Sequence, residues 1–184
     1  MKSLFACATL AVIAALATPA SASVTVLGNG AARMCYQAAR DGPASMFAIR
    51  ECDAAIEAGQ LSNADRAATF VNRGVIHLQR RNASEALADF DAALAINPTI
   101  GEAHVNRGAA LILLNRAQEA IQEISRGLEL GTQDPHEAHF NRAVAYEIQG
   151  DLAAAFRDYS RAQELKPDWA LPQVELARFS VARR

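Results

Sequence analysis

Three copies of one short motif fix the architecture open to this chain. Asn72-Arg73-Gly74, Asn106-Arg107-Gly108 and Asn141-Arg142-Ala143 recur every 34 or 35 residues. Each is followed at constant offsets by a small residue, a bulky apolar residue and a second small residue: Ala86, Phe90, Ala93; Ala120, Ile124, Gly127; Ala155, Tyr159, Ala162. A period of this length belongs to stacked helical hairpins, in which one unit cannot bury its apolar face without a neighbour. The spacing within Ala86, Leu87, Phe90, Ala93 and Leu94 is helical, not alternating. Asn115 and Asp151 stand where helix N-caps are expected, and Gly150 where a helix closes. Pro135 suits a first helical position after Asp134, and Asn97-Pro98 separates two units.

The first 22 residues read as a secretory signal peptide. Lys2 gives a positive start, Leu4 to Ala17 an apolar run, and Ala20-Ser21-Ala22 a small-residue cleavage site. The run is shorter than the roughly 20 apolar residues of a spanning helix. No second apolar run follows, so no integral membrane segment is expected in the mature chain. Without Lys2 the chain holds 17 basic against 20 acidic residues, a net charge of about −3. That balance argues against nucleic acid, which demands a basic stripe. Two cysteines remain after export, Cys35 and Cys52. An even pair in an oxidising compartment reads as a disulfide, and sixteen intervening residues do not form the C-x-x-C of a redox pair.

The pattern resembles the tetratricopeptide repeat, whose unit is a helix-turn-helix of 34 residues. Small residues stand at unit positions 8, 20 and 27, a bulky one at 24 and often proline at 32. On that frame the full units run 67–100, 101–134 and 136–169, with Pro135 inserted. A degenerate unit within 23–66 places Cys35 at position 7 and Cys52 at position 24, with residues 63–66 as a short insertion and Tyr36 breaking the small-residue rule at position 8. Residues 170–184 read as a capping helix and tail, with Leu171, Val174, Leu176 and Ala177 inward and Glu175 and Arg178 outward. The resemblance implies an all-α, right-handed helical-hairpin solenoid. At position 7 the usual leucine is replaced by arginine, and an acid recurs at position 23. Three internal pairs follow as expectations: Arg73–Asp89, Arg107–Glu123 and Arg142–Asp158. The rival reading of these arginines is a row for anionic ligands.

In this family the first helices of successive units line a concave groove. Carried over, that predicts a peptide-binding face made by Asn72, Val75 and Gln79; by Glu102, Val105, Asn106 and Ala109; and by Glu137, Phe140, Asn141 and Val144. A carboxamide both donates to and accepts from a peptide backbone, whatever the side chain. The same asparagines could instead order adjacent helices. One branch of the family clamps a terminal carboxylate with lysine at position 2. Here that position holds Ala68, Glu102 and Glu137, so a neutral or basic apolar segment is the better match.

Catalytic and metal signatures are weak. His136 and His139 flank Glu137 without forming H-E-x-x-H, and a structural role is expected for them and for His104. Gly28-Asn29-Gly30 lacks the third glycine of a dinucleotide fingerprint and reads as a flexible lead-in. The expectation is a non-catalytic exported adaptor, periplasmic or secreted, needing no cofactor and binding a protein or peptide. The alternative is a self-associating scaffold component of an envelope complex.

Overall fold

Small residues recur where two helices must approach, and that recurrence sets the whole architecture. The computed structural model describes residues 23–26 and 30–181, with side chains described as far as residue 179. Nine helices follow in these residues: α1 Gly30–Asp41, α2 Met46–Glu57, α3 Asn63–Gln79, α4 Ala83–Ile96, α5 Gly101–Leu113, α6 Ala117–Leu130, α7 Pro135–Gln149, α8 Leu152–Leu165 and α9 Ala170–Val181. They pair as four antiparallel hairpins stacked in chain order, closed by α9. No described residue is in a strand. No helix among the described residues is long and apolar enough to cross a membrane. The expected signal peptide, 1–22, lies outside the described residues.

The three full hairpins close the same way. Ala86, Ala93, Ala120, Ala155 and Ala162 are fully buried, as are Phe90 and Ile124; Tyr159 is nearly so. A Cβ on Gly74 would stand 2.5 Å from Phe90 Cε1, so the ring of Phe90 lies against bare backbone. Gly108 meets Ile124 in the same way. Bulky residues thus lock into seats made by small ones, at close-packed density.

In the three full units the turns between paired helices are set by unit position 15. Arg81 and Asn115 adopt φ of 62° and 58° there, and Gly150 adopts 86°. Asn115 is therefore not the N-cap expected from sequence. It takes the left-handed turn that ends α5, a conformation asparagine tolerates better than most residues. Arg116 then occupies the N-cap position of α6, with no side-chain cap bond. Asp151 does cap α8, accepting from Ala154 N at 2.9 Å. Pro135 opens α7 as its first residue, while Asp134 makes no side-chain cap bond. Residues 63–66, expected as an insertion, form the first turn of α3, where Ser62 accepts from Asp65 N at 3.1 Å.

The capping helix is rotated from the expected face. Pro172 and Glu175 are buried, Leu176 and Phe179 pack on the core, and Val174 is exposed. Glu175 turns inward because Arg178 reaches both it and Glu147 of α7, the latter at 2.5 Å. A charged residue survives burial when it is paired in this way.

Candidate functional site

The three arginine–acid pairs form as expected, and each arginine does a second job. Arg73 donates to Asp89 at 2.6 and 3.0 Å and to Asp53 at 2.6 Å. Arg107 meets Glu123 at 2.8 Å and Asp91 at 2.6 Å. Arg142 reaches Asp158 at 2.6 and 2.9 Å and the Ser125 hydroxyl at 2.9 Å. The second partner always stands at position 25 of the preceding unit, so each guanidinium ties its own hairpin shut and ties it to its neighbour. Sequence reading missed this second contact, although Asp53, Asp91 and Ser125 recur at the right spacing. With the arginines so engaged, they do not form an open row for anions.

The histidines serve the same clips. His104 Nδ1 lies 2.8 Å from Glu123, and His139 Nδ1 2.9 Å from Asp158. Burial disfavours the charged form of Asp158, but hydrogen bonds from Arg142 and His139 outweigh it and hold its pKa below the usual carboxylate value. His136 stacks edge-on against Trp169, with ring centroids 5.3 Å apart. Among the described residues no three His, Cys, Asp or Glu side chains gather as metal ligands.

The predicted groove residues sit together along α3, α5 and α7, yet most are enclosed. Asn72, Val75, Glu102, Val105, Asn106, Ala109, Phe140, Asn141 and Val144 are all buried; Gln79 and Glu137 are partly open. The cause is the packing of α3 on α5 and of α5 on α7, together with the closing of each first helix on its second, where Val105 faces Gly127 and Phe140 faces Tyr159. Several are already employed within the fold. Glu102 accepts from Gln133 N at 3.0 Å, and Gln79 donates to the Ala39 carbonyl at 3.1 Å. Phe140 stacks on Tyr159 and Trp169, with centroids 5.2 and 5.0 Å apart.

The asparagines do not behave alike. The Asn72 carboxamide grips a backbone: Val24 N donates to Oδ1 at 2.9 Å, and Nδ2 donates to the Val24 carbonyl at 2.9 Å. Neither carboxamide atom of Asn141, fully enclosed, has a hydrogen-bond partner. Residues 23–26 thus lie along the repeats: Ser23 and Val26 are buried and Val24 half-buried. Gly28 and Asn29, part of the expected flexible lead-in, lie outside the described residues. The contact spans 48 residues of sequence, and no local pattern announces it.

Cys35 of α1 and Cys52 of α2 meet in the terminal hairpin, with sulfurs 2.14 Å apart and Cα atoms 4.9 Å apart, both side chains fully buried. Tyr36, beside Cys35, is accommodated because it lies half-buried against the side chains around Val26, with hydrogen bonds to Thr25 and Arg40 that lower its pKa.

An array of similar helical hairpins, tied by small residues and carrying a buried asparagine at the same place in each first helix, defines a repeat protein of the tetratricopeptide class. Models of the tetratricopeptide repeat match residues 71–135 and 136–168, together more than half of the chain. The chain belongs to the tetratricopeptide repeat family. It is 35% identical over 114 residues to the DnaJ homolog subfamily C member 7 homolog of Dictyostelium discoideum, covering 59% of this chain and 21% of that one. The human DnaJ homolog subfamily C member 7 is 26% identical over 136 residues, covering 71% and 27%. The chain therefore spans only about a quarter of these relatives. Among solved structures, MamA from Desulfovibrio magneticus RS-1 superposes with a TM-score of 0.67 at 16% identity, covering 84% of this chain and 86% of that one. The first repeat domain of Spaghetti (RPAP3), bound to the HSP90 peptide SRMEEVD, superposes with a TM-score of 0.60 at 22% identity, covering 65% and 94%. At these identities the likeness is one of fold.

Proposed function

We propose that this protein is an exported, non-catalytic adaptor that holds an extended protein or peptide segment along its first helices. The observation that carries the reading is the grip of Asn72 on Val24, in which one carboxamide satisfies both polar groups of a residue's backbone. Such a grip is blind to side chains and suits a flexible segment of loose sequence. Glu102 and Glu137, where a carboxylate-clamping relative would carry lysine, disfavour an acidic segment of the SRMEEVD kind. Export rests on the reading of residues 1–22, with cleavage after Ala22 and a periplasmic or secreted product. In that setting Cys35 and Cys52 are joined as a disulfide.

A photoreactive residue at Glu137, on the open part of the face, tests the adaptor in cells. One dominant foreign partner supports it; crosslinks to a second copy alone refute it and favour a self-associating scaffold. That second reading draws on Met34, Met46 and Phe47, which stand exposed on the terminal hairpin. Fractionation followed by intact mass tests export, with a mature chain starting at Ser23 as the expected product. Alkylation tests the disulfide: two tags are expected only after reduction.

A further inference from the structure

The contact between Asn72 and residues 23–26 has the features of an occupied binding site. The wall of this site is made of Ala32 and Tyr36 of α1, Ala55 of α2, Leu61, and Ala68 and Asn72 of α3. Besides the carboxamide and the Tyr36 hydroxyl, these residues offer small or apolar surface. It therefore recognises an extended backbone with a short β-branched side chain, such as Val26, directed inward. Thr25 lies on the exposed side and is held by the Tyr36 hydroxyl. Asn141, at the same unit position in the third full unit, has no segment on it, and both of its carboxamide atoms lack partners. Both side chains are fully buried, Asn72 with an extended chain bonded to its two carboxamide atoms and Asn141 without one.

We propose that the trough between α1 and α3 is a binding site for an extended backbone segment, that residues 23–26 fill it in cis, and that an external segment gains Asn72 only by displacing them. This inference rests on the reading that the asparagines grip peptide backbone. It adds that the amino-terminal third of the face is closed by the chain's own residues, so a partner first meets the face nearer α7. The class of external ligand follows from the occupant: a short, uncharged, extended segment with β-branched residues at alternate positions.

The full chain tests this in two measurements. Hydrogen exchange read by NMR is expected to show the Val24 amide at least about tenfold slower than in an unstructured peptide. Val24→Pro removes the donor to Asn72 and leaves every helix untouched. The free peptide Ser-Val-Thr-Val-Leu is then the probe. Saturation transfer from protein to peptide is expected with the Val24→Pro chain and at least tenfold less with the unaltered chain. Adding Asn72→Ala to Val24→Pro is expected to abolish the transfer while the helical circular dichroism persists. A Val24 amide that exchanges as in a free peptide overturns the proposal. So does equal transfer to both chains, or none to Val24→Pro. Protection seen only with a concentration-dependent dimer overturns occupancy in cis and assigns the segment to a second copy. Crosslinking at Glu137 is read independently of these outcomes, so failure of occupancy in cis is distinguishable from failure of the adaptor reading.

Discussion

Removing the three guanidinium clips one at a time should separate a closed ion pair from an open one. Replacement by methionine keeps most of the arginine stem, so the loss is mainly that of charge and hydrogen bonds. The side chains of Arg142 and Asp158 are 19% and 10% exposed, and those of Arg73 and Asp89 are 22% and 6%. Removing one partner of an enclosed pair leaves a stranded charge and costs about 3–5 kcal/mol. With the arginines about one-fifth open to solvent, the lower end applies, about 3 kcal/mol for Arg142→Met and for Arg73→Met. Arg107 differs. Its side chain is 26% exposed, and its partners Glu123 and Asp91 are 21% and 52% exposed. Screening by solvent reduces that loss to about 1 kcal/mol. For a chain of this size the expected drop in Tm is about 2–4 °C per kcal/mol, so the first two variants should melt clearly below Arg107→Met. Circular dichroism at 222 nm during thermal and urea unfolding reads the series. A double-mutant cycle of Arg142→Met with Asp158→Asn isolates the pair. Equal losses at all three sites, or a negligible coupling energy in the cycle, would refute the assignment of stability to enclosed pairing.

Other predictions probe packing, charge and the staple. Gly127→Ala places a Cβ 2.6 Å from Val105 Cγ2 and 2.7 Å from the Gly101 carbonyl, and should cost about 1–3 kcal/mol even though Ala93 and Ala162 stand at the same unit position; an unchanged Tm would show that α5 and α6 can move apart freely. Acid should weaken the fold in two stages. Burial lowers the pKa of His77 below the ordinary imidazole value of 6.5, so that contribution is full above pH 6.5 and is lost as pH falls toward the lower folded value. Asp158 has a folded pKa below 3.8, so its contribution is full above that value and disappears as pH falls through the folded one. Urea midpoints measured from pH 8 to pH 3 should therefore fall twice, and Asp158→Asn should remove the lower step alone. Reduction of an oxidised Cys35–Cys52 bond should lower stability by about 3 kcal/mol in the chain-entropy model. An unchanged urea midpoint after reduction, confirmed by mass, would contradict it.

The repeat frame was readable because its causes are local and recur. A glycine or alanine at position 8 seats the bulky residue at position 24 in every full unit, and the arginine returns with its acid. Features that depend on distant or unrepeated partners were not readable. Asn115 has the composition of an N-cap, but the three-residue turn after α5 needs a left-handed residue there, and asparagine suits both roles. Glu175 and Arg178 resemble the wet face of a helix until Glu147, far back in the chain, is brought beside them. The predicted groove residues do lie side by side along α3, α5 and α7, but their depth was not legible. Residues such as Val105 and Val144 are apolar whether they line an opening or fill a seam, so composition alone could not separate the two. The grip of Asn72 on Val24 was out of reach for the same reason, since a four-residue stretch carries no period.

The second contact of each arginine bears on how the array comes apart. Because one guanidinium closes a hairpin and also holds the preceding unit, a single hairpin cannot open without loosening its neighbour. Opening is then a collective event, and the coupling between adjacent units exceeds what apolar stacking alone supplies. The coupling is uneven: carboxylates receive the arginine at the first two junctions, through Asp53 and Asp91, whereas the neutral Ser125 receives it at the last. Measured by these charges, the last junction is the loosest, and fraying of the solenoid should begin with the hairpin of α7 and α8.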